Sequence, residues 1–174
     1  MKTAIVYGRE YATAKEYAEE LSQLTGIPNA SYETVKELHD CSLVIYYGGL
    51  YAGGVKGLKR TVKYLLPDTK LILVTVGLAD VKDPENIENI QRSIRNQVPE
   101  SILNNAALFH LRGGIDYSKL SFTHKTMMAL LYNKAKHIPD EKKTADVRAL
   151  IETYNTKVDF VDFGSLEQII KAIQ

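Results

Sequence analysis

Three short stretches carry residue types from which a binding rim could be built: Arg9, Glu10, Tyr11, Ala12 and Thr13; Leu50, Tyr51, Ala52 and Gly53; and Gly77, Leu78, Ala79 and Asp80. The first offers a cation, hydroxyls and a run of backbone N–H groups leading into a helical pattern, the chemistry that binds an anion at a helix amino terminus. The second places the aromatic face of Tyr51 close to glycines, where a flat ring could stack. The third is a small-residue turn closed by a carboxylate. Other chemistries are poorly served. The nearest approach to a triphosphate-binding loop, Gly49 followed by Gly54, Val55 and Lys56, has its lysine out of register. Only Gly8 stands where a dinucleotide fingerprint needs three spaced glycines. Tyr7, Gly48 and Gly49 occupy strand ends where a receiver domain would carry acidic residues. His39, His110, His124, His137 and Cys41 show no metal-ligand spacing, so no metal site is expected.

Each stretch follows an apolar run that ends in glycine: AIVYG at Gly8, LVIYYGG at Gly48 and Gly49, and LILVTVG at Gly77. A fourth run, ALFHLRGG, ends at Gly113 and Gly114. Branched and aromatic residues without polar alternation mark strands buried on both faces, as in a parallel sheet covered by helices. Between the runs lie helical spacings. Thr13 and Glu16 form a capping box ahead of Ala14, Tyr17, Ala18, Leu21 and Leu24, and Gly26 and Pro28 stop that element. Gly54 opens a second helix with Val55, Leu58, Val62 and Leu65 on one face, and Asp83 with Pro84 opens a third through Ile87, Ile90 and Ile94. Residues 29–33 supply a short edge strand, followed by a turn of helix from Thr34. Strand and helix thus alternate five times. This predicts an α/β fold with a doubly wound five-stranded parallel sheet, helices on both faces and a ligand crevice at the carboxyl ends of the strands.

The pattern changes after Gly114. Residues 121–137 read as a helix carrying Phe122, Met127, Met128, Leu130 and Leu131. A polar break, IPDEKK, leads to a second helix over 144–154, and Ser165 with Gln168 caps the last one. We read 1–174 as a single domain with a helical insertion at about 138–157.

Composition narrows the function classes. At 174 residues, 45% of them hydrophobic, the chain can bury one full core. A net charge of +1 and a pI near 7.8 give no field that would argue for nucleic acid. A single cysteine suits a reducing compartment, and the opening MKTAIVYG has no leader-like apolar region, so a cytoplasmic location is expected. No stretch has the apolar length to cross a bilayer. Six lysines over 117–143 oppose Asp140 and Glu141, a formal +4 beside a Met-rich face. Such an element could rest on an anionic membrane surface; the plainer expectation is that it packs on the sheet.

Of the ligands that such a crevice takes, flavin mononucleotide (FMN) suits these loops: phosphate at the first, ring between the second and third, with Tyr51 as the stacker. The stretches KTAIVYGREYATAKEYAEEL and GGLYAGG, and above all LRGGIDYSKLSFTHKTMMALL, resemble the flavodoxin-domain family that includes the menaquinone-dependent protoporphyrinogen IX dehydrogenases. VDFVDFGSLEQIIKAI extends the resemblance nearly to the end. The resemblance implies strand order 2-1-3-4-5, noncovalent FMN, and transfer of electrons from a reduced, porphyrinogen-like small molecule to a quinone. The ring carries the electrons, so no side chain is assigned as a general acid or base. The family's first loop carries hydroxyls and a glycine where this chain has Arg9, Ala12 and Ala14; an arginine can replace a hydroxyl through charge-assisted contacts to phosphate. Ala12 and Ala14 support an alternative, a non-catalytic interaction protein with a degenerate FMN site. A one-electron carrier is a further alternative, although the chain lacks the acidity such shuttles use for docking. Arg112, Asp116, Tyr117 and Lys119 either flank the substrate or are ordinary loop polarity. The oligomeric state is left open.

Overall fold

The computed structural model describes residues 2–8, 13–51 and 54–174. The first run is β1 (Lys2–Gly8), followed by α1 (Thr13–Thr25), a three-residue β2 (Asn29–Ser31) and the long β3 (Cys41–Tyr51). Then come β4 (Gly54–Val55), a short α2 (Leu58–Thr61), β5 (Lys70–Gly77), α3 (Pro84–Arg95), α4 (Glu100–Leu103) and β6 (Ala106–Arg112). The remainder holds β7 (Gly114–Asp116), α5 (Phe122–Lys136), α6 (Ala145–Thr153), β8 (Lys157–Asp159) and α7 (Leu166–Ile173).

Five strands pair in parallel in the order β2-β1-β3-β5-β6, the doubly wound arrangement expected from the apolar runs. Alternation along each strand sends neighbouring residues to opposite faces, so each run builds two layers at once. Val6, Val44, Tyr46, Leu71 and Leu73 meet Leu58, Ile90 and Ile94 on one side. Ile5, Ile45, Tyr47, Ile72 and Val74 meet Tyr17, Leu21, Leu166 and Ile169 on the other. The register places Gly8 beside Gly48, Gly49 beside Val76, and Gly77 beside Arg112. The strands therefore end along one rim.

Several local elements differ from the sequence expectation. The helix anticipated from Gly54 begins only at Leu58. Gly54 and Val55 instead fold back antiparallel onto Tyr51 and Leu50, and Gly57 takes the left-handed conformation at φ 75° to start the short helix. No helix follows Thr34, only a turn held by the Ser31 carbonyl, so β2 passes to β3 without one. Thr13 is itself helical, the first described residue of α1. Leu24, placed by spacing on the inner face of α1, is 57% exposed. At α7 the Ser165 hydroxyl does not cap the helix; it donates to the Asp162 carbonyl at 2.5 Å, while the Asp162 carboxylate accepts from Gly164 N at 2.9 Å. The antiparallel ribbon β7–β8 and the single-turn α4 have no counterpart in the sequence expectation. Both are too short to show a period.

The strand-end glycines answer first to neighbouring protein. A Cβ on Gly8 would strike the Lys56 carbonyl and the Tyr46 hydroxyl, and one on Gly48 would strike Val55. The β3–β4 hairpin thus lies across the end of β1, and the Tyr46 hydroxyl donates to the Lys56 carbonyl beneath it. At Gly57 a Cβ would stand 2.5 Å from both Tyr32 Cγ and Tyr46 Oη, in a backbone conformation that favours glycine. Gly57→Ala is expected to cost roughly 1–3 kcal/mol in urea-melt stability, because strain and overlap act together.

Burial raises the phenol pKa of Tyr46 and Tyr47 above its ordinary value and pushes Tyr117 up to about 12. Unfolded tyrosines titrate near 10, so above that pH the folded state holds protons that the unfolded state releases. Stability from these groups is complete below about pH 10 and is lost as pH rises through the folded values. Tyrosinate absorbance should therefore grow together with loss of far-ultraviolet circular dichroism. Ionisation of these phenols with the dichroism intact would contradict this.

Candidate functional site

The rim opens into a cavity of about 480 Å³. Thr13 and Ala14 reach it from the start of α1, Leu50 and Tyr51 from the end of β3, and Gly77, Leu78 and Ala79 from the turn after β5. Its far wall comes from α3, α5 and α6, among them Met128, Leu131 and Leu150. The lining is mostly apolar and the volume is that of a small-molecule site.

Of the residues that the sequence points to, Thr13, Leu50, Tyr51, Gly77, Leu78 and Ala79 share the cavity. Arg9, Glu10, Tyr11, Ala12, Ala52 and Gly53 lie outside the described residues. Asp80 is not part of the lining: it is exposed, its carboxylate accepts from Lys82 N at 2.9 Å, and its carbonyl accepts from Asn86 Nδ2 at 2.8 Å. It shapes the turn into α3, whose cap is Asp83, accepting from Glu85 N. Sequence reasoning misses the contribution of α5 and α6. Their apolar spacing is visible, but nothing in it distinguishes a face turned to a cavity from one turned to a core.

Tyr51 is positioned from two sides. Backbone pairing to Gly54 fixes its strand, its hydroxyl contacts Met127 Sδ on α5, and Lys56 Nζ stands 5.9 Å from its ring centre. At the opposite edge Thr13 packs close to Gly113, where a Cβ would lie 2.5 Å from Thr13 Oγ1.

The Leu78 turn is fastened by Arg112. Its Nη2 and Nε donate to the Leu78 carbonyl at 2.7 and 3.2 Å, and its guanidinium lies 3.6 Å from the centre of the Phe160 ring. The Arg112 carbonyl accepts from the Tyr17 hydroxyl at 2.8 Å, and that hydroxyl in turn accepts from Asp162 N at 2.9 Å. Arg112 therefore holds the rim together.

A second, more polar cavity of about 580 Å³ shares Thr13 and Gly114 with the first and runs between α1 and the β7–β8 ribbon. It has Lys56, Lys119 and Lys157 facing Glu16, Glu33 and Asp116. Asp116 is already committed: its Oδ1 accepts from Ser118 N at 3.0 Å and from the Ser118 hydroxyl, and its Oδ2 stands 3.7 Å from Lys157 Nζ. The Ser118 hydroxyl foremost lowers its pKa. Tyr117 packs edge-on against Tyr154, which stacks on Tyr132, so it belongs to the apolar cluster under α5 and α6. Among the described residues no group of three or more His, Cys, Asp or Glu could hold a metal ion. None of the described helices is long and apolar enough to cross a membrane.

Architecture and cavity define a doubly wound α/β domain with a small-molecule cavity at the carboxyl edge of its sheet. The flavodoxin domain family matches residues 4–142, and the chain belongs to that family. Its structure is similar to that of a flavoprotein in complex with FMN from Lactobacillus acidophilus NCFM, at 10% identity over 64% of this chain and 91% of that one, with a TM-score of 0.43. It is also similar to the Trp repressor binding protein from Bacillus subtilis, at 15% identity over 64% and 83% of the two chains, with a TM-score of 0.42. A flavodoxin from Pseudomonas aeruginosa, solved as a point mutant, aligns over 87% of this chain and 99% of its own at 18% identity, with a TM-score of 0.38. No curated protein matches the sequence.

Arg112→Lys tests the clamp. A lysine carries a point charge that cannot bond the Leu78 carbonyl twice and lie flat on Phe160. Amide hydrogen exchange at residues 78–80 is expected to accelerate by roughly tenfold, the scale of one lost charged hydrogen bond. Unchanged protection there would exclude the clamp.

Proposed function

We propose that the rim cavity binds FMN noncovalently, with its ring beside Tyr51 and between the Leu50–Tyr51 strand end and the Leu78–Ala79 turn. The phosphate belongs at the amino terminus of α1, near Thr13 and the 9–12 segment. The observation that carries this reading is that Thr13, Tyr51, Leu78 and Ala79, from three separate rim segments, line one mostly apolar cavity. The described residues fit the group: a hydroxyl and helix-terminal amides suit a phosphate, and an aromatic wall with a small-residue turn opposite suits a planar ring. When bound, the flavin would supply the electron-carrying chemistry. The chain supplies the rest. Tyr51 stacks, Arg112 holds the Leu78 turn in place, and α5 and α6 keep water from the apolar half of the cavity.

Within that frame the protein acts as an oxidoreductase that moves electrons from a porphyrinogen-like reduced donor to a quinone. Support for the donor and acceptor is the resemblance of the segment that forms β7, the following turn and α5, the elements that close the cavity. Support for work at an anionic membrane surface is the outer side of α5, where Phe122 is 85% and Leu130 60% exposed and Lys125 and Lys136 are also exposed. By contrast Met128 turns inward, onto Ile115 and Tyr117 rather than onto the central sheet.

Titration of FMN into the purified protein should quench flavin fluorescence at one equivalent, and Tyr51→Ala should weaken binding by roughly tenfold, the scale of one lost aromatic stack. Absence of quenching sinks the reading and leaves the interaction-protein alternative. Quenching without quinone-dependent turnover points to a carrier. Sedimentation with anionic vesicles should fall with salt and with Phe122→Ser; no vesicle binding at low salt removes the membrane role.

A further inference from the structure

We propose that Gln97, which stands outside the rim cavity, is a positioning residue for it: its carboxamide holds the outer edge of the β3–β4 hairpin and thereby sets where Tyr51 stands. Gln97 Oε1 accepts from Val55 N at 2.8 Å, and its Nε2 donates to the Val55 carbonyl at 3.2 Å. A carboxamide meets an N–H and a C=O together in one orientation only, so the pair fixes the side chain and the strand at once.

The inner edge of the hairpin is bonded to β3, with Lys56 N donating to the Gly49 carbonyl at 2.9 Å. Val55 stands opposite Leu50, but its own N–H and C=O are turned to Gln97, where a wider sheet would offer another strand. Gln97 makes both of the bonds that such a strand would make. It is firmly seated itself: it follows α3, its N donates to the Ile94 carbonyl at 2.9 Å, and Ile94 and Val98 are buried in the core layer beneath. The hold reaches the cavity in one step. Gly54, next to Val55, pairs with Tyr51, and both line the cavity, whereas Gln97 lines neither this cavity nor the polar one. Arg112 fixes the Leu78 turn in the same manner, by a side chain that bonds main chain. Both walls of the slot are therefore set before any ligand arrives, and a flat ring that enters has no hairpin to order. The inference rests on the proposed flavin site for the choice of ligand that reports where Tyr51 stands; the hold on Val55 does not depend on it.

FMN is the probe, followed by fluorescence quenching on the full-length protein from about pH 5 to about pH 8. Gln97→Ala should weaken binding roughly three- to tenfold, the scale of two lost neutral hydrogen bonds felt in part at the ring. In a Tyr51→Ala background the same substitution should change affinity less than about twofold, because no ring is left to misplace. Gln97→Glu adds a pH readout: a protonated carboxyl accepts and donates as the carboxamide does, while an ionised one only accepts. The ratio of Gln97→Glu to wild-type affinity should therefore fall toward the Gln97→Ala value as pH rises. The proposal is overturned if Gln97→Ala binds FMN as tightly as wild type, if its full effect persists without Tyr51, or if the Gln97→Glu ratio ignores pH. Where Gln97→Ala folds poorly, Gln97→Glu at the acid end of the range carries the test. Unquenched FMN with the wild-type protein would end the flavin reading alone, and amide exchange without ligand then decides for Gln97: Leu50, Tyr51 and Val55 should exchange roughly tenfold faster in Gln97→Ala, and equal protection would overturn the proposal.

Discussion

The rim depends on one guanidinium. Arg112 closes β6, and its side chain reaches back across the sheet edge to hold the carbonyl of Leu78, while its own carbonyl anchors the Tyr17 hydroxyl of α1. Through Phe160 and Asp162 the same node catches the segment that leads into α7. Four parts of the chain far apart in sequence are thereby fixed at the place where the cavity opens. Parallel pairing brings the strand ends into line, but it does not by itself set the separation of the turns that leave them. That separation decides whether a flat ring fits.

The floor of the site is a by-product of how the sheet is buried. Each apolar run must satisfy helices above and below, and a residue at the strand end is therefore hemmed in from both sides. Glycine at Gly8, Gly48 and Gly77 answers that crowding: the intruders are Lys56, Val55 and Leu50 of the β3–β4 hairpin. The hairpin in turn presents Tyr51. The close packing that demands glycine is the packing that presents the aromatic ring.

What can be read from the sequence follows from the length scale of each signal. The buried strands announce themselves because a short unbroken apolar run between turn signals suits a strand covered on both faces and little else. Helices α3 and α6 are legible because their caps and periods agree, whereas α5 is legible as a helix but not in its inner face, since Phe122 and Leu130 point outward. Gly54 misleads because Val55, Leu58 and Val62 keep helical spacing, yet pairing of Gly54 with Tyr51 outweighs a weak local preference. Ser165 misleads because its hydroxyl donates back to the Asp162 carbonyl in the turn before α7 instead of accepting from the helix. In the site, residues carried by the rim turns are found from strand ends alone. The α5–α6 wall is invisible, since only folding decides which residues beside an apolar stripe face a void. Arg112 stands out in the sequence as a charge, but its work is to bond a carbonyl 34 positions away.

The two layers on either side of the sheet close at different moments of synthesis. Every buried member of one, from Val6 to Ile102, is made well before α7. The other joins Ile5 of β1 and Tyr17 and Leu21 of α1 to Leu166 and Ile169 of α7. That second layer has only α1 over it until α7 is made, which makes α7 the latch of the fold and its loss an invitation to chaperones and proteases.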